Sequence, residues 1–242
     1  MNELLFFASI ILCFGLLWVV NRVFGKNGLY AWIAMASILA NIEVTKNIAL
    51  FGFHDFVTLG NVAFASIFLA TDILSECYGY KESKKGVHIG LFSVISFLLM
   101  IQLDLLFIPS ESGVFIHETL NNLFGLNGAF IWVTISSVVL FYLSNLFDVW
   151  LFNKIRKRTG ERKLWLRNNV ATMAANCLEN FLLFIFGFYL LPLIFTGGSI
   201  YAFSNCVIAA LISCSIEIVI SLLDTPFIYA AKKYHNKEVI EE

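Results

Sequence analysis

The chain has 242 residues, 59% of them hydrophobic, with a net charge of −1 and a mean hydropathy of +0.82. Soluble domains use about 45–50% apolar residues, so this composition excludes a soluble domain and points to an integral membrane protein. The near-zero net charge says little about partners; the placement of the charges along the chain says more.

Polar punctuation divides the chain into seven apolar runs, at about 4–24, 29–50, 57–78, 86–109, 127–153, 169–195 and 201–231. Each is near the ~20 residues that cross the hydrocarbon as a helix. The first has no basic n-region and no small-residue cleavage site, and carries Arg22 and Lys26 on its far side, so it reads as a retained helix rather than a signal peptide. The second holds Asn41, Glu43, Thr45 and Lys46. The third, "FLATDILSECYGY", sets Asp72 and Glu76 at i,i+4 and hence on one helix face. A carboxylate at a helix centre costs about 2.5–3.5 kcal/mol to insert, so that face must look into the bundle or a wet cavity. The loop at 110–125 has Glu111 and Glu118 and no basic residue. The fifth run places Asn145 and Asp148 at i,i+3, the sixth places Asn176, Glu179 and Asn180 at i,i+3,i+4, and the seventh carries Glu217 and, before Pro226, Asp224. Carboxyl and amide clusters on several spans point to a site; the plainer reading is that they glue helix to helix.

Basic residues accumulate in cytoplasmic loops. With the N-terminus outside, the inner side receives Arg22 and Lys26, then Lys81, Lys84 and Lys85, then Lys154 through Arg167, and finally Lys232, Lys233 and Lys237. Lys46 alone is left on the other side. This asymmetry sets topology and requires no nucleic acid and no lipid-specific contact. The expected fold is an all-α integral membrane protein of about seven transmembrane helices forming one transporter domain over 1–242: an extra N-terminal helix at 4–24, a six-helix core at 29–231 and a cytoplasmic tail at 232–242. Three is odd, so a second set of three core spans runs opposite to the first, which permits a 3+3 inverted repeat. A faint echo supports it: "ILANIEVTKN" against "YLSNLFDVWLFNK", and "TDILSE" against "ANCLEN".

Other chemistries lack their residues. The five cysteines, Cys13, Cys77, Cys177, Cys206 and Cys214, lie in or at the ends of apolar runs with no CxxC and no His at metal-ligand spacing, so neither disulfides nor a metal site is expected. The strings GxGD and GxSG of intramembrane proteases are missing, as are Walker, Rossmann and EF-hand strings, and 201–231 has no lysine for a Schiff base. No catalytic residue and no cofactor is expected. Transport or small-molecule binding survives.

The segments "LANIEVTKNI", "FLATDILSECYGYKES", "LSNLFDVWLFNKIRKRTGERKLWLRNNVAT" and "DTPFIYAAKK" resemble the signature segments of the queuosine precursor transporter family of vitamin uptake transporters, from about residue 38 to 231. The resemblance implies uptake, through the bacterial plasma (inner) membrane, of 7-cyano-7-deazaguanine, 7-aminomethyl-7-deazaguanine or queuine for tRNA modification. Carried over by residue, Asn41 matches the second-helix Asn, Thr71, Asp72, Glu76 and Gly79 the third-helix motif, Asp148 the fifth-helix acid, and Arg167 the arginine that opens the sixth helix. The chain has Asn145 where the family commonly has Gln, and Glu179 where it commonly has Asp; the longer acid bears on pocket size and ligand choice.

A deazaguanine offers N1–H and a 2-amino group side by side to a carboxylate, an O6 acceptor to an amide, and flat faces to aromatic rings. The expected ligand contacts are therefore Asp148 or Glu179 at the base edge, with Asn41, Asn145, Asn176 and Asn180 as amides. Lys46, Asp72, Glu76 and Arg167 are expected in gating or charge balance, Arg167 pairing with an acid near the inner mouth. The stacking ring stays open among 25 Phe, 8 Tyr and 5 Trp. A homo-oligomer is compatible with this reading. The alternatives are a substrate-binding membrane subunit of an ATP-driven vitamin importer, and a receptor or structural protein whose acids only join helices.

Overall fold

The computed structural model describes residues 1–53, 57–126, 131–160 and 162–241, with side chains through Asn236. Its elements are α1 (Asn2–Glu43), α2 (Gly60–Ile73), α3 (Tyr80–Asp104), α4 (Val114–Phe124), α5 (Ile131–Thr159), α6 (Leu164–Leu183), α7 (Leu191–Thr196) and α8 (Phe203–Glu241). Among the described residues, five stretches are long and apolar enough to cross a membrane: Asn2–Glu43, Tyr80–Asp104, Ile131–Thr159, Leu164–Thr196 and Phe203–Asn236.

α1 is two helical arms that reverse at Gly25, whose φ of 54° and ψ of −137° suit only glycine. A Cβ on Gly28 would lie 2.5 Å from the carbonyl oxygen of Val20, a residue that a straight helix holds ~12 Å away. The two arms therefore lie side by side. Asn2 Nδ2 donates to the Ala49 carbonyl at 2.9 Å, and Glu3 Oε1 accepts from the Phe51 N–H at 3.3 Å. The expected runs 4–24 and 29–50 are these arms, except that the second ends at Glu43. Beyond it the chain turns back on itself: the Ile48 N–H donates to Val57 O at 2.8 Å, and Leu50 and Phe53 exchange both backbone bonds at 2.9 Å. Apolar composition alone does not separate such a loop from a helical span.

The next helix accordingly starts at Gly60 rather than 57. Every residue of α2 is buried, and it continues as a π-helical turn, Leu74–Tyr78. Segment 110–125, expected as a plain loop, contains α4, which buries Phe124 and leaves Phe115 and Ile116 exposed. α6 runs through a π segment, Phe184–Leu190, into α7. α8 carries Pro226 inside it and stays helical through most of the expected tail 232–242.

The arms of α1 pack on α2 and α3, while α6 packs between α5 and α8. α2 also touches α5 and α8 but keeps its backbone away from α6. Side chains of α2 and α6 meet across a cleft, with the Thr172 hydroxyl 3.2 Å from Asp72.

Candidate functional site

Phe64, Phe68 and Asp72 on α2 and Glu76 on the π turn that continues it recur every four residues and form one face. α6 runs antiparallel and sets Asn180, Asn176, Thr172 and Asn168 against it. α8 supplies Glu217, Asp224 and Lys232 in the same direction as α2. The result is three tiers along one axis.

The first tier is a narrow cleft with a cavity volume of about 20 Å³, between α2, α6 and α8. Asn176, Glu179, Asn180, Ser213 and Glu217 give it polar walls; Phe64, Phe68, Phe184 and Phe188 give it aromatic ones. Ser144 Oγ on α5 donates to Glu179 Oε2, and Asn180 Nδ2 donates to Glu217 Oε2 at 2.5 Å. The side-chain amide of Asn176 makes no hydrogen bond among the described residues, and its backbone carbonyl accepts from Asn180 Nδ2 at 2.9 Å. Thr58 Oγ1 donates to Asn61 Oδ1 at 2.7 Å, leaving the buried Asn61 Nδ2 without a partner.

The second tier is acidic. Asp72, Asp148 and Asp224 are all at most 1% exposed. The Thr172 hydroxyl lies 3.2 Å from Asp72 Oδ2 and 3.3 Å from Asp148 Oδ1, and Asn168 Nδ2 donates to Asp224 Oδ1 at 2.7 Å. Asp72 Oδ1 and Asp148 Oδ2 are buried and receive no N–H or O–H donor from another side chain or the backbone among the described residues. Among the described residues, no Lys, Arg or His forms an ion pair with any of the three.

The third tier is an ion cluster centred on Glu76. Arg167 Nη2 lies 2.6 Å from both carboxylate oxygens and its Nε donates to Oε2 at 3.1 Å. Lys232 Nζ donates to Oε1 at 2.6 Å, and Arg156 Nε is 4.0 Å from Oε2. Arg167 also donates to the carbonyls of Gly160 and Arg162, and Arg156 to those of Ser75 and Glu76. Glu76 and Asp224 are both buried although each lies near the end of its apolar run. The Gly25 reversal lies at this same end: a Cβ on Gly25 would lie 3.4 Å from the Tyr78 hydroxyl, and Lys26 pairs with Glu82 at 3.2 Å.

The expected residues therefore separate. Asn176, Glu179 and Asn180 line the cleft; Asp72 and Asp148 meet in the acidic tier; Glu76 and Arg167 form the ion cluster. Asn145 and Asn41 are fully buried and donate to backbone carbonyls one turn back, Phe141 and Ser37, each leaving its Oδ1 unpartnered. Lys46 is exposed beyond the end of α1, at the end of the bundle opposite Glu76. Sequence reasoning alone misses Thr58, Asn61, the four phenylalanines and the role of Glu217. The one available signal is the i,i+4 series that extends the Asp72–Glu76 face up to Phe68 and Phe64.

Residues 58–231 match the family described as "Putative vitamin uptake transporter". A "Probable queuosine precursor transporter" of Bacillus subtilis (strain 168) is 33% identical over 230 residues, which is 95% of this chain and 93% of that protein. A protein of the same name from Haemophilus influenzae (strain ATCC 51907 / DSM 11121 / KW20 / Rd) is 25% identical over 139 residues, 57% of this chain and 54% of its own length. No solved structure gives a significant match. The family match runs from Thr58 to Ala231 and so takes in the elements that build the cleft and the acidic tier. The chain belongs to the vitamin uptake transporter family and is a multi-pass membrane protein.

Proposed function

We propose that this chain is a carrier, not an enzyme, that imports a queuosine precursor (7-cyano-7-deazaguanine, 7-aminomethyl-7-deazaguanine or queuine) across the bacterial plasma membrane for tRNA modification. It is a single domain that crosses the bilayer seven times: two arms of α1, α2 with its π turn, α3, α5, α6 through α7, and α8. The stretch Gly60–Tyr78 supports counting α2, since it would be ~28 Å long at 1.5 Å per residue, against a hydrocarbon core of ~30 Å. The N-terminus lies outside, because basic residues accumulate on the cytoplasmic side, which puts the end bearing Arg156, Arg167 and Lys232 inside. The core is a 3+3 inverted repeat; that α2 and α6 both leave α geometry for a π segment and face each other supports the pairing.

The observation that carries the transport reading is the placement of Asn176 and Glu179, three residues apart on α6, in a cleft walled by phenylalanine. A deazaguanine edge presents an acceptor, O6, beside two donors, N1–H and the 2-amino group. A free amide next to a carboxylate matches that order. The cleft is tighter than a bicyclic base, so admitting one moves α2 away from α6. The path inward then passes Asp72 and Asp148 and meets the Glu76–Arg167–Lys232 cluster, which closes the basic end and must open as the cleft closes.

Purified chain in liposomes tests the reading. It predicts time-dependent accumulation of a labelled precursor by this chain alone. Uptake that needs an added ATPase would replace it with the importer-subunit reading, and no uptake of any precursor would contradict it.

A further inference from the structure

We infer that Glu217 binds a cationic group on the ligand, so that this carrier takes 7-deazaguanines bearing an ammonium on the 7-substituent in preference to neutral ones. The inference rests on the reading of the cleft given above. One carboxylate satisfies the base edge, because N1–H and the 2-amino group are adjacent. The cleft has two. Glu179 from α6 and Glu217 from α8 both line it and lie within electrostatic range of each other. No Lys, Arg or His is among the lining residues, and neither acid has an ion-pair partner among the described residues.

Each acid receives one neutral side-chain donor, Ser144 for Glu179 and Asn180 for Glu217. A carboxylate has about four acceptor sites, so both keep capacity for ligand donors. Two such groups in a desolvated cleft repel each other unless a positive charge or a proton comes between them. Asn61 adds an independent pointer to a ligand: it is 5% exposed, lines the cleft from α2, and, with its Oδ1 taken by Thr58, its Nδ2 has no partner among the described residues. The complete complement is a flat molecule with donors at one edge, an acceptor for Asn61, and a further strong donor for Glu217. A 7-aminomethyl group is that donor and carries the missing charge. A 7-cyano group offers only an acceptor and sets its lone pair against the second carboxylate.

Half-saturation for uptake of 7-aminomethyl- and 7-cyano-7-deazaguanine, measured in wild type, Glu217→Gln and Glu217→Asp, tests this. A charge-assisted contact predicts a wild-type preference for the aminomethyl compound on the order of tenfold to a hundredfold. Glu217→Gln should bring the ratio toward one, and Glu217→Asp should retain part of it. The ratio is internal to each variant, so a loss of folded carrier lowers both rates and leaves it unmoved. Equal or better uptake of the cyano compound by wild type would overturn the inference and assign a proton to one of the two acids. An unchanged preference in Glu217→Gln would overturn it as well. Should Glu217→Gln move neither compound, the wild-type ratio and Glu217→Asp decide. A wild type that moves neither compound fails the carrier reading itself, and the inference falls with it.

Discussion

Arg167 of α6 and Glu76 of the π turn after α2 form a fully buried pair, with Nη2 2.6 Å from each carboxylate oxygen. Lys232 from α8 joins them at 2.6 Å. Three helices that line the cleft thus converge on one acid at the basic end of the bundle. The arginine is held by more than the pair, since it also donates to the Gly160 and Arg162 carbonyls.

Glu76→Gln removes the carboxylate that Arg167 pairs with and leaves the guanidinium buried beside two further basic residues, Lys232 and Arg156. Removing one partner of a buried pair costs about 3–5 kcal/mol. The expected outcome is a clearly lower melting temperature in detergent. Arg167→Lys should not rescue the pairing, because an ammonium cannot make the forked contact and reach two carbonyls as well. The double variant Glu76→Gln/Arg167→Gln should lose less than the sum of the single losses.

Glu179→Gln keeps the side chain's shape and its contact with Ser144 but replaces an acceptor pair with a mixed amide. Losing charge-assisted bonds of about 1.5–3 kcal/mol should reduce precursor uptake on the order of tenfold to a hundredfold at normal membrane abundance. Asn176→Ala should act in the same direction with smaller size. Uptake kinetics normalised to carrier abundance check both.

Asp148→Asn separates stability from transport. Asp72 and Asp148 share one hydroxyl and have no ion-pair partner among the described residues, so an amide at 148 adds a donor where two acids crowd. Thermal stability should hold or rise while uptake falls. Lost stability with uptake intact would return the pair to the role of helix glue.

Gly25→Ala forces an L residue into φ 54°, ψ −137°, which costs about 1–3 kcal/mol of strain. Gly28→Ala is worse placed, since its Cβ meets the Val20 carbonyl oxygen at 2.5 Å. Both variants should reach the membrane in lower amount, Gly28→Ala less than Gly25→Ala. Quantified membrane immunoblots check the order.

What was legible in the sequence is what hydropathy and ionisation write in single residues. Asn176, Glu179 and Asn180 stand out because amides and acids are costly in an apolar run; they line the cleft. The basic residues between helices collect at one end of the bundle for the same reason. The phenylalanines of the cleft carry no such mark, because a ring facing a ligand and a ring facing lipid look alike in sequence. Position 43, rather than 50, as the end of the second arm was hidden too: Ile48 and Leu50 are apolar enough for a span, and only their pairing with Val57 and Phe53 makes them a loop. Glu217 shares its run only with Asp224, without the neighbouring amides of the sixth run, and only the fold shows that α8 carries it into the same cleft as Glu179.

The most direct test of the account is queuosine in tRNA from a host that cannot make the precursor, lacks its own importer, inserts queuine, and carries only this gene. Cells would be fed nanomolar cyano precursor, aminomethyl precursor or queuine, with Glu179→Gln as the paired variant. The account predicts that wild type restores queuosine with at least one of these ligands and that Glu179→Gln at equal membrane abundance does not. No restoration by confirmed, membrane-located wild type with any of the three, or full restoration by the variant, would contradict it.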